Sequence, residues 1–204
     1  MKKIFLILGA LIGWFAVGLQ FYLILLNRTA SILETIARFF TFFTILTNIL
    51  VAFYFTILLL RKNTRLYTFV SLSKVSTAIT LYITVVGLVY QFILRPLWDP
   101  KGLQYLADEL LHSVTPFYVI LYWSIFANKT QLEWKQILSW LIYPICYFVV
   151  IIFRGAFSGY YPYPFVNVNE LGYPNVLLNS GGLVLLFALL SVLFILVAKL
   201  SSRK

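Results

Sequence analysis

The chain contains 204 residues, of which 62% are hydrophobic, 19% aromatic and only 11% charged. A soluble domain carries about 25% charged residues, so this composition excludes one and predicts an integral membrane protein. The protein is expected to be all-α, because its apolar residues form continuous runs and do not alternate as in a β-barrel. The formal net charge of +10 does not indicate a nucleic-acid partner, because most Lys and Arg residues flank apolar stretches. One cysteine and one histidine cannot form an internal disulfide or a usual zinc site, so we expect no metal and no cofactor.

Six apolar stretches of about 20 residues, each long enough to cross a bilayer, follow one another along the chain. The predicted transmembrane spans are residues 4–26, 36–60, 69–94, 105–126, 134–153 and 174–200. The first stretch is too long for the apolar region of a signal peptide, so we expect an uncleaved helix. The six spans occupy nearly the whole sequence, which predicts a single membrane domain over residues 1–204.

Positive charge is unevenly distributed between the two sides of the predicted spans. The N-terminal tail, the second and fourth loops and the C-terminal tail together carry about twice as many Lys and Arg residues as the other side. By the positive-inside rule, both termini are therefore expected in the cytoplasm. The second, fourth and sixth spans then all begin at the outer face, so residues early in these spans share the outer leaflet.

The second span contains the segment RFFTFFTILTN, in which Thr41, Thr44 and Asn48 recur at helical spacing. On a continuous helix these residues form one polar stripe on an otherwise Phe- and Leu-rich surface. Such a stripe is typical of helix packing, because Thr and Asn hydrogen-bond neighbouring helices or, for Thr, the carbonyl one turn back. A catalytic hydroxyl is the alternative that the stripe leaves open.

The fourth span opens with LADELLHSVTP and carries the only histidine, His112. Asp108 and Glu109 precede it by four and three residues, positions from which a carboxylate can meet and orient the imidazole on a helix. An ionisable residue inside a membrane is expensive and indicates a functional role by default. His112 is therefore a candidate structural donor, proton relay or general base. Pro116 removes one helical hydrogen bond and is expected to kink the helix.

Thr41 and His112 have similar predicted depths in the outer leaflet. At ~1.5 Å per residue, Thr41 lies about 8 Å and His112 about 10 Å below the outer ends of their spans. Arg154 ends the fifth span on the same face. There it can pair with Asp108 or Glu109, bind a lipid headgroup or simply anchor the helix at the interface. The tyrosine-rich loop that follows suits an interfacial aromatic belt or a lid.

Three short segments, RFFTFFTILTN, LLHSVTP and YYPYPF, resemble the androgen-induced-gene and androgen-dependent TFPI-regulating protein (ADTRP) family and its bacterial six-span relatives. The resemblance implies a membrane threonine hydrolase of fatty acid esters of hydroxy fatty acids (FAHFAs), here in a bacterial cell membrane. It also implies a threonine nucleophile early in the second span and a histidine in the fourth. These roles fall on Thr41 and His112, with Thr44 and Thr47 as alternative registers for the nucleophile.

We therefore predict an intramembrane ester hydrolase whose partners are the bilayer and a lipid or fatty-acyl ester substrate. In this mechanism Thr41 Oγ1 attacks the ester carbonyl, and His112 accepts its proton and returns it to the leaving alcohol. Asn48 and Asn179 are the candidate donors to the oxyanion. The alternative is a non-enzymatic membrane protein, either a small transporter or a lipid-binding scaffold, in which Thr41 and His112 hold helices together.

Overall fold

A computed structural model describes residues 1–60 and 64–201. Four charged residues that contribute to the predicted topology lie outside this part of the chain: Arg61, Lys62, Arg203 and Lys204. The described residues form helices and contain no β-strand, which confirms the predicted all-α class. They divide into two compact units, Met1–Gln131 (unit 1) and Leu132–Lys204 (unit 2).

Unit 1 contains both Thr41 and His112. Its described part contains α1 (Lys2–Leu26), α2 (Ile32–Phe39), α3 (Phe43–Leu59), α4 (Arg65–Val70), α5 (Ser73–Val89), α6 (Leu103–Glu109) and α7 (Thr115–Phe126). Two π-helical turns interrupt the α-helical register: π1 (Tyr90–Leu94) continues α5, and π2 (Leu110–Val114) joins α6 to α7. A short 3-10 turn follows π1 at Arg95–Leu97.

Unit 2 consists, in its described part, of α8 (Gln136–Ser158) and α9 (Val168–Ser201), joined by the tyrosine-rich loop. That loop includes a 3-10 turn at Pro164–Val166. Gly159 takes a left-handed conformation (φ 67°) that ends α8. Gly172 (φ 72°, ψ 159°) kinks α9 two residues before the predicted start of the sixth span. Both positive φ angles favour glycine, which has no Cβ to clash with the backbone.

α1 packs closely against α3 because small residues line their contact. A Cβ at Gly13 would lie 3.1 Å from Ala52 Cα on α3, and a Cβ at Gly9 would lie 2.6 Å from the Phe55 ring. Glycine therefore permits an approach that a larger residue would block, a common arrangement between membrane helices. α1 also matches the helix predicted over residues 4–26.

The continuous helix predicted over residues 36–60 is wrong, because the segment is broken. α2 and α3 meet at an angle of 70°. Arg38 O accepts hydrogen bonds from Thr41 N–H (2.9 Å) and Thr41 Oγ1 (2.5 Å), which ends α2 in a tight turn. Phe42 is extended (φ −78°, ψ 123°), and α3 begins at the next residue. The Thr41 hydroxyl thus satisfies Arg38 O at the end of α2, where Phe42 N–H binds Phe39 O instead of continuing the α-helical pattern.

Four helical segments are long and apolar enough to cross a membrane: Lys2–Leu26, Ser73–Leu97, Gln136–Ser158 and Val168–Ser201. The bent pair of α2 and α3 is a fifth candidate if it counts as one span. The predicted fourth span corresponds to the helical segment 103–126, which is not among these candidates. The described residues thus support an integral membrane protein with four or five crossing helices. The predicted number of six and the orientation of the termini are not confirmed.

Candidate functional site

Thr41 lies in the break between α2 and α3. The residue is buried, with 5% of its surface exposed, and its hydroxyl donates to Arg38 O. The predicted polar stripe is therefore wrong, since only Thr44 and Asn48 lie on α3, four residues apart. The depth predicted for Thr41 in the bilayer assumed a continuous helix, so the break removes its basis. For Thr41 Oγ1 to act as a nucleophile, the hydroxyl must rotate away from Arg38 O toward a base.

An apolar cluster joins this break to π2, the turn that contains His112 (the histidine turn). Phe39 precedes Thr41 by two residues, and Ile45 follows it by four. Both side chains are buried in one cluster with Leu111, the residue before His112. Thr41 and His112 therefore lie in segments that converge on a shared core within unit 1.

His112 lies in π2, and its Nδ1 is 2.9 Å from Asp108 O. A carbonyl oxygen only accepts hydrogen bonds, so Nδ1 of the neutral imidazole carries the proton. Nε2 then keeps its lone pair and can accept a proton from a hydroxyl. This is the tautomer that a histidine general base requires.

The two carboxylates predicted to orient the imidazole have other partners. Asp108 Oδ2 accepts a hydrogen bond from the Tyr90 hydroxyl at 3.1 Å, and Asp108 meets the imidazole through its backbone carbonyl. Glu109 forms an ion pair with Arg95, directly after π1. Within residues 1–60 and 64–201, no three His, Cys, Asp or Glu side chains lie close enough together to hold a metal ion.

Tyr90 is a site residue that the sequence analysis missed. Its ring stacks on the His112 imidazole, with ring centroids 4.1 Å apart and planes 12° apart. Only 3% of its surface is exposed. Tyr90 lies near the outer end of the predicted third span and therefore in the leaflet predicted for His112. That position was a usable signal, but a chain with 14 Tyr and 19 Phe residues does not single out one aromatic ring.

The two π-helical turns meet at the site and are joined by polar contacts. Gln91 Nε2 in π1 donates to Ser113 Oγ in π2 at 2.8 Å. Arg95 donates to Gln91 Oε1 at 2.6 Å and pairs with Glu109. Together with the tyrosine–aspartate bond, these contacts hold π1 against π2. π-helical turns are rare and occur frequently at functional sites.

Asn48 links α3 to the histidine turn and is fully buried. Its Nδ2 donates to Thr44 O at 2.9 Å and to Leu111 O at 3.3 Å. Both N–H groups of the amide are therefore bound to backbone carbonyls, which leaves neither directed to an oxyanion. Asn48 Oδ1 has no hydrogen-bond partner among the described residues.

The proline in the fourth span explains why Leu111 O needs a side-chain donor. Thr115 N–H donates to Leu110 O, five residues back, in the register of a π-helix. In that register the next residue, Pro116, would donate to Leu111 O. Proline has no N–H, and Asn48 Nδ2 supplies the missing donor. Asn48 and Pro116 both stand out in the sequence, but a pattern within one span does not connect it to a residue in another.

Asn179 and Arg154, the other predicted site residues, lie in unit 2. Asn179 Nδ2 donates to Phe165 O at 3.0 Å. Arg154 Nη1 donates to Ser158 Oγ at 3.2 Å, and its guanidinium lies 5.7 Å from the centre of the Tyr160 ring. Both residues thus contact the tyrosine-rich loop or the end of α8.

Comparisons of the chain with protein-family models, with curated proteins and with solved structures find no match. The family resemblance of the three short segments therefore stays a prediction. Any assignment of function depends on the geometry of Thr41, His112 and their surroundings in unit 1.

Proposed function

We propose that the protein is a membrane hydrolase that cleaves lipid esters, with Thr41 as nucleophile and His112 as general base. The observation that carries this proposal is the 2.9 Å contact between His112 Nδ1 and Asp108 O, which assigns the imidazole proton to Nδ1 and leaves Nε2 able to accept one. A buried threonine lies in the segment that shares an apolar cluster with the histidine turn. A hydroxyl and a base with an available lone pair are the groups that nucleophilic ester hydrolysis needs.

In the proposed reaction, Thr41 Oγ1 attacks the ester carbonyl while His112 Nε2 accepts the hydroxyl proton. The tetrahedral intermediate collapses to an acyl-threonine, and the imidazolium returns the proton to the leaving alcohol. Water, deprotonated by the same Nε2, then attacks the acyl-threonine carbonyl. The ester bond to Thr41 breaks, the imidazolium returns the proton to Thr41 Oγ1, and a fatty acid is released. Asp108 O stabilises the imidazolium in each step, because the negative end of the carbonyl dipole faces Nδ1–H.

The oxyanion of this reaction needs positive potential or hydrogen-bond donors near Thr41. α3 begins at Phe43, two residues after Thr41. The positive end of a helix dipole favours negative charge at that end. The start of α3 takes this role in our proposal in place of Asn48, whose amide is bound to backbone carbonyls.

The four phenylalanines around Thr41 divide into two pairs by burial. Phe39 and Phe43 are buried, whereas Phe40 is 48% exposed and Phe42 is half-buried. Phe40 and Phe42 are therefore the rings that an acyl chain arriving from the bilayer can contact. The substrate class that suits this entry is a long-chain acyl ester, and the family resemblance favours a FAHFA.

The proposed enzyme crosses a bacterial cell membrane six times, with both termini cytoplasmic and the site in the outer half. The distribution of Lys and Arg supports this orientation. The helical continuity of residues 103–126 supports the additional span. Its polar residues Asp108, Glu109 and His112 all contact protein partners, as ionisable residues inside a bundle do.

A non-enzymatic membrane protein, either a small transporter or a lipid-binding scaffold, is the second candidate. One observation favours it: Thr41 Oγ1 and His112 Nδ1 both donate to backbone carbonyls three or four residues back. Polar side chains in membrane helices commonly satisfy themselves in this way without taking part in chemistry. The two candidates differ in what Thr41→Ala removes, which is turnover in the first and stability alone in the second.

A lipophilic fluorophosphonate, which traps activated hydroxyls, tests the proposal on purified protein in lipid nanodiscs. Mass spectrometry should place the adduct on Thr41, with none in Thr41→Ala and much less in His112→Ala. Thr41→Ser should retain part of the turnover of a long-chain acyl ester, because it keeps the hydroxyl. Thr44→Ala and Thr47→Ala are matched controls, since both residues are buried on α3 close to the break.

The possible results separate the candidates. An adduct on Thr44 or Thr47 would move the nucleophile into α3 and contradict the assignment. Folded wild-type protein that neither reacts with acyl probes nor cleaves a panel of acyl esters would favour the non-enzymatic candidate. In that case Thr41→Ala should lower stability, with no catalytic effect to measure.

A further inference from the structure

Tyr90 contacts both His112 and Asp108, the residue that holds the proton on the imidazole. Its ring lies parallel to His112, and its hydroxyl donates to the carboxylate of Asp108. Asp108 in turn binds His112 Nδ1 through its carbonyl. The three residues form a closed set of contacts, in which each one touches the other two.

We propose that Tyr90 is a positioning residue that holds the His112 ring in the orientation and tautomer that proton transfer at Nε2 requires. This inference rests on the proposed function, because it gives Tyr90 its role through the general base. Tyr90 itself donates no proton to the reaction. Its effect is mechanical, through the stacked ring and the aspartate.

The stacking contact restricts rotation of the imidazole. Ring centroids 4.1 Å apart with planes 12° apart leave no room for the imidazole to turn out of its plane on that side. A rotation about the Cβ–Cγ bond would either lose the stack or press an edge into the tyrosine ring. Aromatic pairs favour such an offset parallel arrangement, so the stack selects one ring plane.

The hydroxyl contact restrains the acceptor of the imidazole proton. Asp108 O is the atom that keeps the proton on Nδ1, and its position depends on the backbone of the last turn of α6. The bond from the Tyr90 hydroxyl to Asp108 Oδ2, at 3.1 Å, ties that turn to π1. Tyr90 therefore restrains the carbonyl and the ring together, alongside the Gln91–Ser113 and Arg95–Glu109 contacts that join the same segments.

The backbone of α5 allows Tyr90 to reach the histidine turn. A Cβ at Gly87, three residues before Tyr90, would lie 3.3 Å from His112 O and 3.2 Å from Pro116 Cβ. The absence of a side chain there permits the close approach of α5 to π2. The Gln91–Ser113 bond then continues the contact into π1.

The single histidine makes the proposal directly measurable by nitrogen NMR. Protein labelled with ¹⁵N-histidine gives signals from His112 alone. In the wild type we expect the Nδ1 signal of a protonated nitrogen and the Nε2 signal of an unprotonated one. Tyr90→Leu removes ring and hydroxyl, and should bring both signals toward the averaged values of exchanging tautomers. Tyr90→Phe keeps the ring and should shift them less.

Kinetics on an acyl ester give the second measurement. A small misplacement of a catalytic group can cost a hundredfold in rate, so Tyr90→Leu should lower kcat by about 10- to 100-fold. KM should stay unchanged, since Tyr90 acts through His112. Tyr90→Phe should lower kcat by less than about tenfold. Tyr118→Leu and Tyr118→Phe are matched controls, because the Tyr118 hydroxyl binds Phe5 O in the same unit.

The outcomes distinguish this inference from the proposed function. A wild type with the expected nitrogen signals, altered in Tyr90→Leu, but with no esterase activity would refute the hydrolase and leave the positioning role intact. Unchanged signals and unchanged kcat in folded Tyr90→Leu would overturn the positioning role alone. If Tyr90→Leu does not fold, Tyr90→Met gives a flexible side chain of similar size without a ring, and the same two results apply to it.

Discussion

The substitution Asn48→Leu tests how the fourth span tolerates its proline. Asn48 is fully buried, and its Nδ2 donates to Leu111 O at 3.3 Å. Leucine has the same branched arrangement of side-chain heavy atoms but no donor, so Leu111 O loses its side-chain partner. A buried carbonyl without a partner costs about 1 to 3 kcal/mol. Asn48 Oδ1, itself unpartnered, is removed at the same time and offsets part of this cost. We expect a net destabilisation of about 1 kcal/mol.

A double-mutant cycle with Pro116→Ala isolates the cause. Alanine restores the N–H that can donate to Leu111 O, so Asn48→Leu should cost less in the Pro116→Ala background than in the wild type. We expect a coupling energy of about 0.5 to 1 kcal/mol. Reversible unfolding in mixed micelles, followed by helical circular dichroism, measures all four proteins. An equal cost of Asn48→Leu in both backgrounds would refute the link between the asparagine and the proline.

Three further predictions concern the base, the packing and the topology. Activity should rise with pH through the titration of His112, because only the neutral imidazole accepts the nucleophile's proton, and His112→Ala should abolish turnover in a protein that still folds. Gly13→Val should destabilise the protein by about 1 to 3 kcal/mol in thermal unfolding, because its Cβ would lie 3.1 Å from the backbone of α3. Gly18→Val is the control and should cost less, because a Cβ at Gly18 meets nothing within 4 Å. In a cysteine-free background, Lys101→Cys should react with an impermeant maleimide in intact cells and Thr130→Cys should not. The reverse pattern would show that the predicted topology is inverted.

Composition and long apolar runs were sufficient to predict the helical membrane class. α1 matches the predicted span 4–26, and α8 covers most of the predicted span 134–153. A run of 20 or more apolar residues has few alternatives to a helix in a bilayer, so this part of the fold follows from local sequence. The orientation of the termini depends on charge counting and stays a prediction.

The break at Thr41 could not be predicted from the same pattern. RFFTFFTILTN mixes aromatic and aliphatic residues with one Arg, three Thr and one Asn, and contains no Gly or Pro to mark a turn. The turn depends on the bond from Thr41 Oγ1 to Arg38 O and on the burial of Phe39 and Ile45 beside Leu111. The second of these is a contact between distant parts of the chain, which helical periodicity does not report. The polar stripe failed because periodicity assumes an unbroken helix.

The π-helical turns were hidden for a related reason. A shift from four-residue to five-residue hydrogen bonds changes no residue type, so π1 and π2 leave no compositional mark. Pro116 was the one visible clue, and a proline inside an apolar span predicts a kink. The structure instead places a π-turn before it, with Asn48 as the substitute donor. Tyr90 was missed because its partner lies on another helix, 22 residues away at His112.

The location of the irregular backbone bears on the choice between enzyme and scaffold. In a membrane, backbone that departs from the α-helix is tolerated only where protein or a polar cavity surrounds it, since lipid offers no hydrogen bonds. The described part of unit 1 departs from regular helix at the break between α2 and α3, at a second break between α4 and α5, and at the two π-turns. Thr41 lies in the first break, and Tyr90 and His112 lie in the π-turns. A scaffold needs only regular helices that pack through small residues, as α1 and α3 do around Gly13. Departures from regular helix at a hydroxyl, an imidazole and its stacking partner support the proposed hydrolase, because irregular backbone is concentrated at functional sites.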